Sequence, residues 1–253
     1  MNTLKVTVKD RLAVIMLDRG KSNAINAEMI SELGTLVKSI AQDENIGGLL
    51  LTGKENFFSA GLDLIELFDL DEERIRQFWI DFLDLIDAMT AFPKPMVTAI
   101  SGHSPAGGTV LAICSDYRVM ADGKFVIGLN EIPVGIIVPE SIFRLYAFWI
   151  GKRKAYQHLL EGKLMQPAEA LQTGLIDEIA PPESIVSTAE RKIRAYMALE
   201  PGTWSQSKMN LRAGLFSPTK TAREDMLDAM LNQWWSEGTR GNLKAIIENL
   251  KRK

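Results

Sequence analysis

Three short stretches of this 253-residue sequence carry residue types that could do chemistry. The first is SGHSPAGGTV, residues 101–110, which follows the β-branched run PMVTAIS and leads into the helix-like LAICSDYR. Gly107 and Gly108 therefore stand between a buried strand and a helix start. The first N–H groups of a helix lack internal acceptors and carry the positive end of its dipole, and glycine lets another atom come close to them. That junction suits an anion, or an oxygen that becomes negative during a reaction. The same glycines equally suit close packing of a strand against a helix. The second stretch is FFSAGLDL, residues 57–64, which also follows a buried strand and sets Ala60 and Gly61 in a loop before Asp63, a residue suited to cap the turn that follows. The third is KFVIGLNEIPVGIIVPE, where Glu131 follows a strand candidate among apolar neighbours. A carboxylate in such surroundings has a raised pKa and can take and return a proton near neutral pH. On that stretch alone, an exposed loop glutamate is the commoner case.

The elements around these stretches read as follows. KVTVKDRLAVIML is a β-hairpin turning near Lys9 and Asp10. RGKSNAIN is polar and turn-rich, and Asn26 is placed to cap a helix over about residues 27–42. GGLLLT is a short buried strand and KENFFSAGLDL a loop with an apolar tip. In residues 71–91, Ile75, Phe78, Trp79, Phe82, Leu85, Ile86 and Met89 recur at three- and four-residue steps, one apolar stripe on a helix opened by acidic DEE and ended by FPKP. PMVTAIS is a strand, PAGGTVLAICSDY a turn and a helix, and RVMAD and KFVIG are short strand candidates. From residue 139 the pattern is helical. QPAEALQTG starts at Pro167 and stops at Gly174, LIDEIA is strand-like, and helices are expected over 183–199, 203–214, 218–236 and 239–250. No internal repeat is visible. Strands with crossover helices followed by helices alone predict an α/β core, 1–195, and a C-terminal helical region, 196–253.

Composition narrows the function. The chain is 46% hydrophobic and 24% charged with a net charge of −3, as expected of a globular protein with a full core and no field that attracts nucleic acid. The one cysteine, Cys114, excludes an internal disulfide, and the two histidines, His103 and His158, supply no metal-type Cys/His spacing. That usage fits a reducing compartment. The N-terminal residues carry neither an apolar signal core nor an Arg-rich amphipathic pattern, and no apolar run approaches the roughly 18 residues of a membrane span. A cytoplasmic protein without membrane partners is the expectation.

Together, FSAGLDL and SGHSPAGG resemble the enoyl-CoA hydratase/isomerase superfamily, the crotonases, with supporting context in KSNAIN, SDYRVMAD and PAEALQTGLIDEI along nearly the whole chain. The resemblance implies a crotonase-like spiral of ββα units with a C-terminal helical trimerisation region. It implies that the N–H groups of Ala60 and Gly107 form an oxyanion hole for a thioester carbonyl, and that Glu131 is the catalytic glutamate. Two preorganised donors stabilise the enolate formed when a proton leaves the carbon next to the carbonyl, each typically worth about 2.7–4 kcal/mol. Crotonase hydratases carry a second glutamate at the place matching Val110, one helical turn past Gly107, and valine can neither hold nor deprotonate a water. ISGHSPAGGTVLAICSDYR together with IGLNEIPVGIIVPE is similar to the mitochondrial-type Δ3,Δ2-enoyl-CoA isomerases, which have one catalytic glutamate in the GLNE segment.

The resemblance further implies an acyl-CoA thioester substrate, no metal or redox cofactor beyond the coenzyme A of the substrate, and a homotrimer or dimer of trimers. It places the coenzyme A nucleotide near the backbone of Ala24 and of Ala60, Gly61, Leu62, Asp63 and Leu64, with Lys21 and Lys54 as phosphate partners to be tested. Asn130 is a candidate to position Glu131 or to touch the acyl group, and the helix over 71–91 to wall an acyl tunnel. Other readings stay outside the site: His103 shapes the oxyanion turn, His158 is a helix surface residue, Cys114 is core, Asp116 and Arg118 form a structural pair under the glycine helix, and Trp234 and Trp235 are core or subunit contacts. Hydration by a differently held water, or acyl-CoA binding without turnover, are the rival functions.

Overall fold

The computed structural model describes residues 1–215 and 220–251. In chain order the elements are β1 (Leu4–Lys9), β2 (Leu12–Leu17), α1 (Ala27–Gln42), β3 (Gly48–Thr52), β4 (Asn56–Phe57), α2 (Leu64–Phe68), α3 (Glu72–Thr90), β5 (Met96–Ile100), β6 (Gly102–Pro105), α4 (Gly107–Ile113), β7 (Tyr117–Ala121), β8 (Ile127–Gly128), α5 (Glu131–Val134), α6 (Glu140–Ile150), α7 (Lys152–Glu161), α8 (Pro167–Thr173), β9 (Glu178–Ala180), α9 (Ile185–Met197), α10 (Pro201–Arg212), α11 (Lys220–Trp234) and α12 (Glu237–Lys251). The start of the helix expected over 218–236, and the last two residues of the basic tail, lie outside the described residues.

Among the described residues, six strands form one sheet in the order β1-β2-β3-β5-β7-β9, and β4-β6-β8 form a second. Only β1 runs antiparallel to its neighbour. After the hairpin, successive strands alternate between the sheets: β3 and β4, then β5 and β6, then β7 and β8, each pair followed by helix. This is the crotonase-like spiral of ββα units. The central strands β3 and β5 are buried along their whole length and are continuous apolar runs, whereas the edge strand β1, LKVTVK, alternates and is largely exposed. Leu49 and Leu51 pack towards α1 and α3, while Leu50 packs with Val97, Ala99 and Val119 against Ile185, Ala189 and Ile193 of α9.

Local signals account for many boundaries. Asp10 and Arg11 take positive φ at the hairpin turn, Asn26 accepts from the Met29 N–H at the start of α1, and Asp71 caps α3. Pro167 opens α8 and Gly174, at φ +84°, closes it. Two segments differ from expectation. Gly102–Pro105, between the expected strand PMVTAIS and the turn expected from Pro105, is a separate strand, β6, because it pairs with β4 and β8. The expected apolar loop tip at Phe57 and Phe58 is instead strand and core: Phe58 is fully buried and the Phe57 ring lies 5.3 Å from that of His103.

The Asp116–Arg118 pair is corrected. Arg118 is fully buried, bridges to Asp177 at 2.6 Å, donates to Leu175 O and Ser115 O, and lies 3.7 Å over the Trp149 ring. Asp116 instead holds two cations of α10, Lys208 at 2.8 Å and Arg212 at 3.0 Å. Arg212 also donates to the carbonyls of Thr90, Cys114 and Ser115. Burial pushes Lys208 down to about 8, against the attraction of Asp116. His158 is likewise corrected: it is buried, on the side of α7 that packs inward, and burial lowers its pKa. Cys114 and Trp234 are core, while Trp235 is exposed and carries Arg240 over its ring. Among the described residues no helix is long and apolar enough to cross a membrane.

Candidate active site

The loop after β4 is pinned from both sides. His103 O accepts the N–H groups of Phe58 and Ser59, and His103 Nδ1 accepts from the Val126 N–H while its ring packs between Phe57 and Phe125. Asn23, buried and held at φ 50°, donates to Phe57 O and Phe58 O and accepts the Ser59 hydroxyl on its own carbonyl. Gly61 has φ +89° and gives its carbonyl to the Ile25 N–H. The Ala60 N–H donates to Ser22 O at 2.9 Å, and Ala60 itself is exposed.

The second loop meets the first at van der Waals distance. Ala106 joins β6 to α4 at φ 49°, ψ −123°, a conformation that strains any residue with a Cβ, and its N–H is held by Gly128 O at 2.8 Å. The N–H groups of Gly107 and Gly108 have no acceptor among the described residues; the ladder of α4 begins with Val110 N–H to Ala106 O. A Cβ on Gly107 would lie 3.2 Å from Ile25 Cδ1 and 3.3 Å from Leu62 Cδ2, and one on Gly108 would lie 2.6 Å from Ser59 O. Close approach of the two loops thus requires the glycines, whatever else comes near their backbone.

The same junction positions the glutamate. The Thr109 hydroxyl bonds to Ser104 O and to both the O and the N–H of Gly128, tying α4 to β8. Two residues past β8, Asn130 and Glu131 open α5, which Gly135 ends in the left-handed region. Glu131 as a whole is half-buried, but its Oε2 is out of solvent reach and unpaired, as is Asn130 Oδ1. Burial pushes the Glu131 carboxyl up to about 7, opposed only by its own backbone N–H.

A cavity of about 520 Å³ brings these residues together. Of the residues singled out in the sequence, Lys21, Ala24, Ala60, Leu62, Asp63, Leu64, Gly107, Val110, Asn130 and Glu131 line it. Gly61 lies beneath the lining, 3.1 Å in Cβ position from Ala106 Cβ. Trp79 and Phe82 of α3 form part of the apolar wall, with Ile142 of α6 and with Ile246 and Leu250 of α12. Asp63 caps α2 and pairs with Arg19 at 2.7 Å; Arg19 also reaches Glu66 and the carbonyl of Ala24. Lys54 is committed to Asp18 and to Gly20 O, whereas Lys21 is exposed at the cavity. Arg19, Asn23, Ala106, Thr109 and the two α12 residues were not singled out in the sequence. For Asn23 a signal existed, since asparagine tolerates positive φ in a turn-rich stretch; for α12 none did. Among the described residues no group of His, Cys, Asp and Glu is placed to hold a metal ion.

Comparison with known proteins places this geometry. The family model of enoyl-CoA hydratase/isomerase matches residues 7–251. The mouse protein named mitochondrial enoyl-CoA delta isomerase 1 is 32% identical over 244 residues, 96% of this chain and 84% of that one. A probable enoyl-CoA hydratase of Rhizobium meliloti is 32% identical over 189 residues, 74% of this chain and 72% of that one. The crystal structure of human mitochondrial Δ3,Δ2-enoyl-CoA isomerase superposes with a TM-score of 0.95 at 30% identity, over 99% of both chains. The chain with two abutting glycine loops and a shielded glutamate is therefore an enzyme of the enoyl-CoA hydratase/isomerase family.

Proposed function

We propose that the enzyme moves the double bond of a 3-enoyl-CoA thioester into conjugation, giving the 2-enoyl-CoA. One observation carries the reading: of the two carboxylates lining the cavity, Asp63 is committed to Arg19 and to capping α2, which leaves Glu131 as the single free base, while valine stands at position 110. The ionised Glu131 carboxylate removes a proton from the α carbon. The electron pair moves into the thioester, and the dienolate oxygen takes the charge. The Gly107 N–H is free to receive that oxygen; the Ala60 N–H joins it by sharing the bond it gives to Ser22 O. The protonated glutamate then returns its proton to the γ carbon, and the double bond closes between the α and β carbons. Proton count and enzyme charge are restored. Addition of water needs a second group to hold and deprotonate it, and Val110, 1% exposed and apolar, supplies none.

Lys21 is the cation we assign to the coenzyme A phosphates, in place of the paired Lys54. A homotrimer or dimer of trimers belongs to the same reading, supported by the exposed apolar side chains of Phe148 on α6 and Leu211 on α10. A reducing, cytoplasmic location is supported by the single buried Cys114, although the mammalian relatives carry "mitochondrial" in their names. The test is conversion of 3-enoyl-CoA to 2-enoyl-CoA by the wild type, with Glu131→Gln slower by at least about 100-fold and still binding coenzyme A. A wild type that hydrates 2-enoyl-CoA as fast as it isomerises 3-enoyl-CoA overturns the reading, and so does Glu131→Gln within about threefold of wild type.

A further inference from the structure

Behind the cavity wall lies a buried hydroxyl that the mechanism has not used. Tyr146 on α6 is fully shielded from solvent, and its hydroxyl has no hydrogen-bond partner. Buried polar atoms are nearly always paired, so an orphan calls for a physical reason. Ile142, one helical turn earlier on the same face of α6, lines the cavity together with Asn130 and Glu131. Two more shielded, unpaired polar atoms sit on that wall, Asn130 Oδ1 and Glu131 Oε2. One is a donor and two are acceptors: together they match the three hydrogen bonds that a buried water typically makes to otherwise unsatisfied groups.

We infer that the Tyr146 hydroxyl is a positioning residue for the catalytic carboxylate: it donates to one ordered water, which in turn donates to Glu131 Oε2 and Asn130 Oδ1. The inference rests on Glu131 as the base. With Oε2 held this way, the other carboxylate oxygen is turned to the substrate, and the ionised form gains a hydrogen bond that offsets part of its burial. After burial, the charge of Glu131 is what pushes the Tyr146 hydroxyl upward, which supports their proximity.

Several charged and titratable groups on the neighbouring elements have partners of their own, while His158 Nδ1 and Arg240 Nη1 are buried and unpaired. On α6 itself Glu140 pairs with Arg144. On α7 the buried His158 has its Nδ1 unpaired, and burial, then Lys163, lowers its pKa against Glu169 and Glu161. On α12 Arg240 donates to Phe68 O and covers the Phe68 ring. At the C-terminal cap of α4 Cys114 accepts from Thr90, and on α3 Asp87 pairs with Arg223.

The experiment reads the ionisation of Glu131 without turnover. Carboxylate bands in infrared difference spectra, taken against Glu131→Gln, give the midpoint of Glu131 in wild type and in Tyr146→Phe. The expected result is a midpoint raised by at least about 0.5 pH unit in Tyr146→Phe, with the acid limb of kcat/KM moving the same way, kcat reduced and KM little changed. An unchanged midpoint in a folded Tyr146→Phe overturns the proposal. If Tyr146→Phe does not fold, 3-fluorotyrosine placed at position 146 keeps the volume and strengthens the donor; the midpoint then falls, and a midpoint that stays put overturns the proposal. A wild type inactive on 3-enoyl-CoA would sink the isomerase reading instead, while the infrared midpoints still decide whether Tyr146 acts on Glu131.

Discussion

Replacing Glu131 with glutamine separates the demands of catalysis from those of folding. In the folded chain, burial raises this carboxyl from its ordinary 4.5 to about 7. Between those values the folded protein keeps a proton that the unfolded chain has already released. Stability therefore falls as pH rises through this window and levels off above about 7. At about 1.36 kcal/mol for each pH unit, the rise corresponds to about 3 kcal/mol that wild type gives up between pH 4.5 and 8. Glutamine does not titrate, so Glu131→Gln lacks that slope. Urea unfolding of both proteins from pH 5 to 8.5 should show their stability difference moving by about 3 kcal/mol in favour of the variant, or roughly 6 °C in melting temperature for a chain of this size. A constant offset reports only how the amide packs. Parallel stability curves across the whole range would refute a carboxyl titrating near 7, and with it the poised base.

Val110→Glu puts a second carboxylate in the cavity; one of the pair should titrate unusually high through like-charge repulsion, isomerisation should fall at least about tenfold, and some hydration of 2-enoyl-CoA should appear. Hydration unchanged from wild type, with isomerisation intact, would show that residue 110 does not discriminate. Gly61→Ala forces a Cβ into positive φ and against Ala106 Cβ at 3.1 Å, at a cost of about 1–3 kcal/mol; thermal unfolding should register it, and turnover should fall with it. Thr109→Val keeps the volume but leaves the buried Gly128 N–H without its acceptor, for a loss of about 1–3 kcal/mol and a larger drop in kcat than in affinity; unchanged kcat would show that the tie between α4 and β8 does not position Glu131.

Which parts of this architecture were legible depends on how local their causes are. The hairpin, the Asn26 cap, the apolar stripe of α3 and the Pro167-to-Gly174 helix each rest on residues within a few positions of one another, and each is readable from the sequence. The ββα spiral is not, because β4 and β8 are two residues long and owe their existence to β6, which carries none of the usual strand residues beyond its pairing partners. The site divides the same way. Glu131 and Gly107 stand in recognisable strings, whereas Asn23 and Thr109 act through backbone carbonyls and amides that the fold brings from 19 to 36 positions away. Asp116 and Arg118, two apart beside a strand, looked like partners; their counter-ions come from α10 and from Asp177.

The two cations of α10 bear on the order in which the molecule can be completed. During synthesis the chain emerges from its N-terminus, and every strand of the larger sheet precedes residue 181. At that stage Asp116 already accepts the Met96 N–H, yet the ammonium and guanidinium that neutralise it are 92 and 96 positions downstream of it. A nascent chain ending before Lys208 thus has a finished sheet around an uncompensated carboxylate, and three carbonyls at residues 90, 114 and 115 that lack the donor Arg212 will bring. Long-range closure of this kind is slow compared with local helix formation. Emergence of α10, rather than formation of the sheet, is then the moment at which Asp116 and these three carbonyls gain their partners.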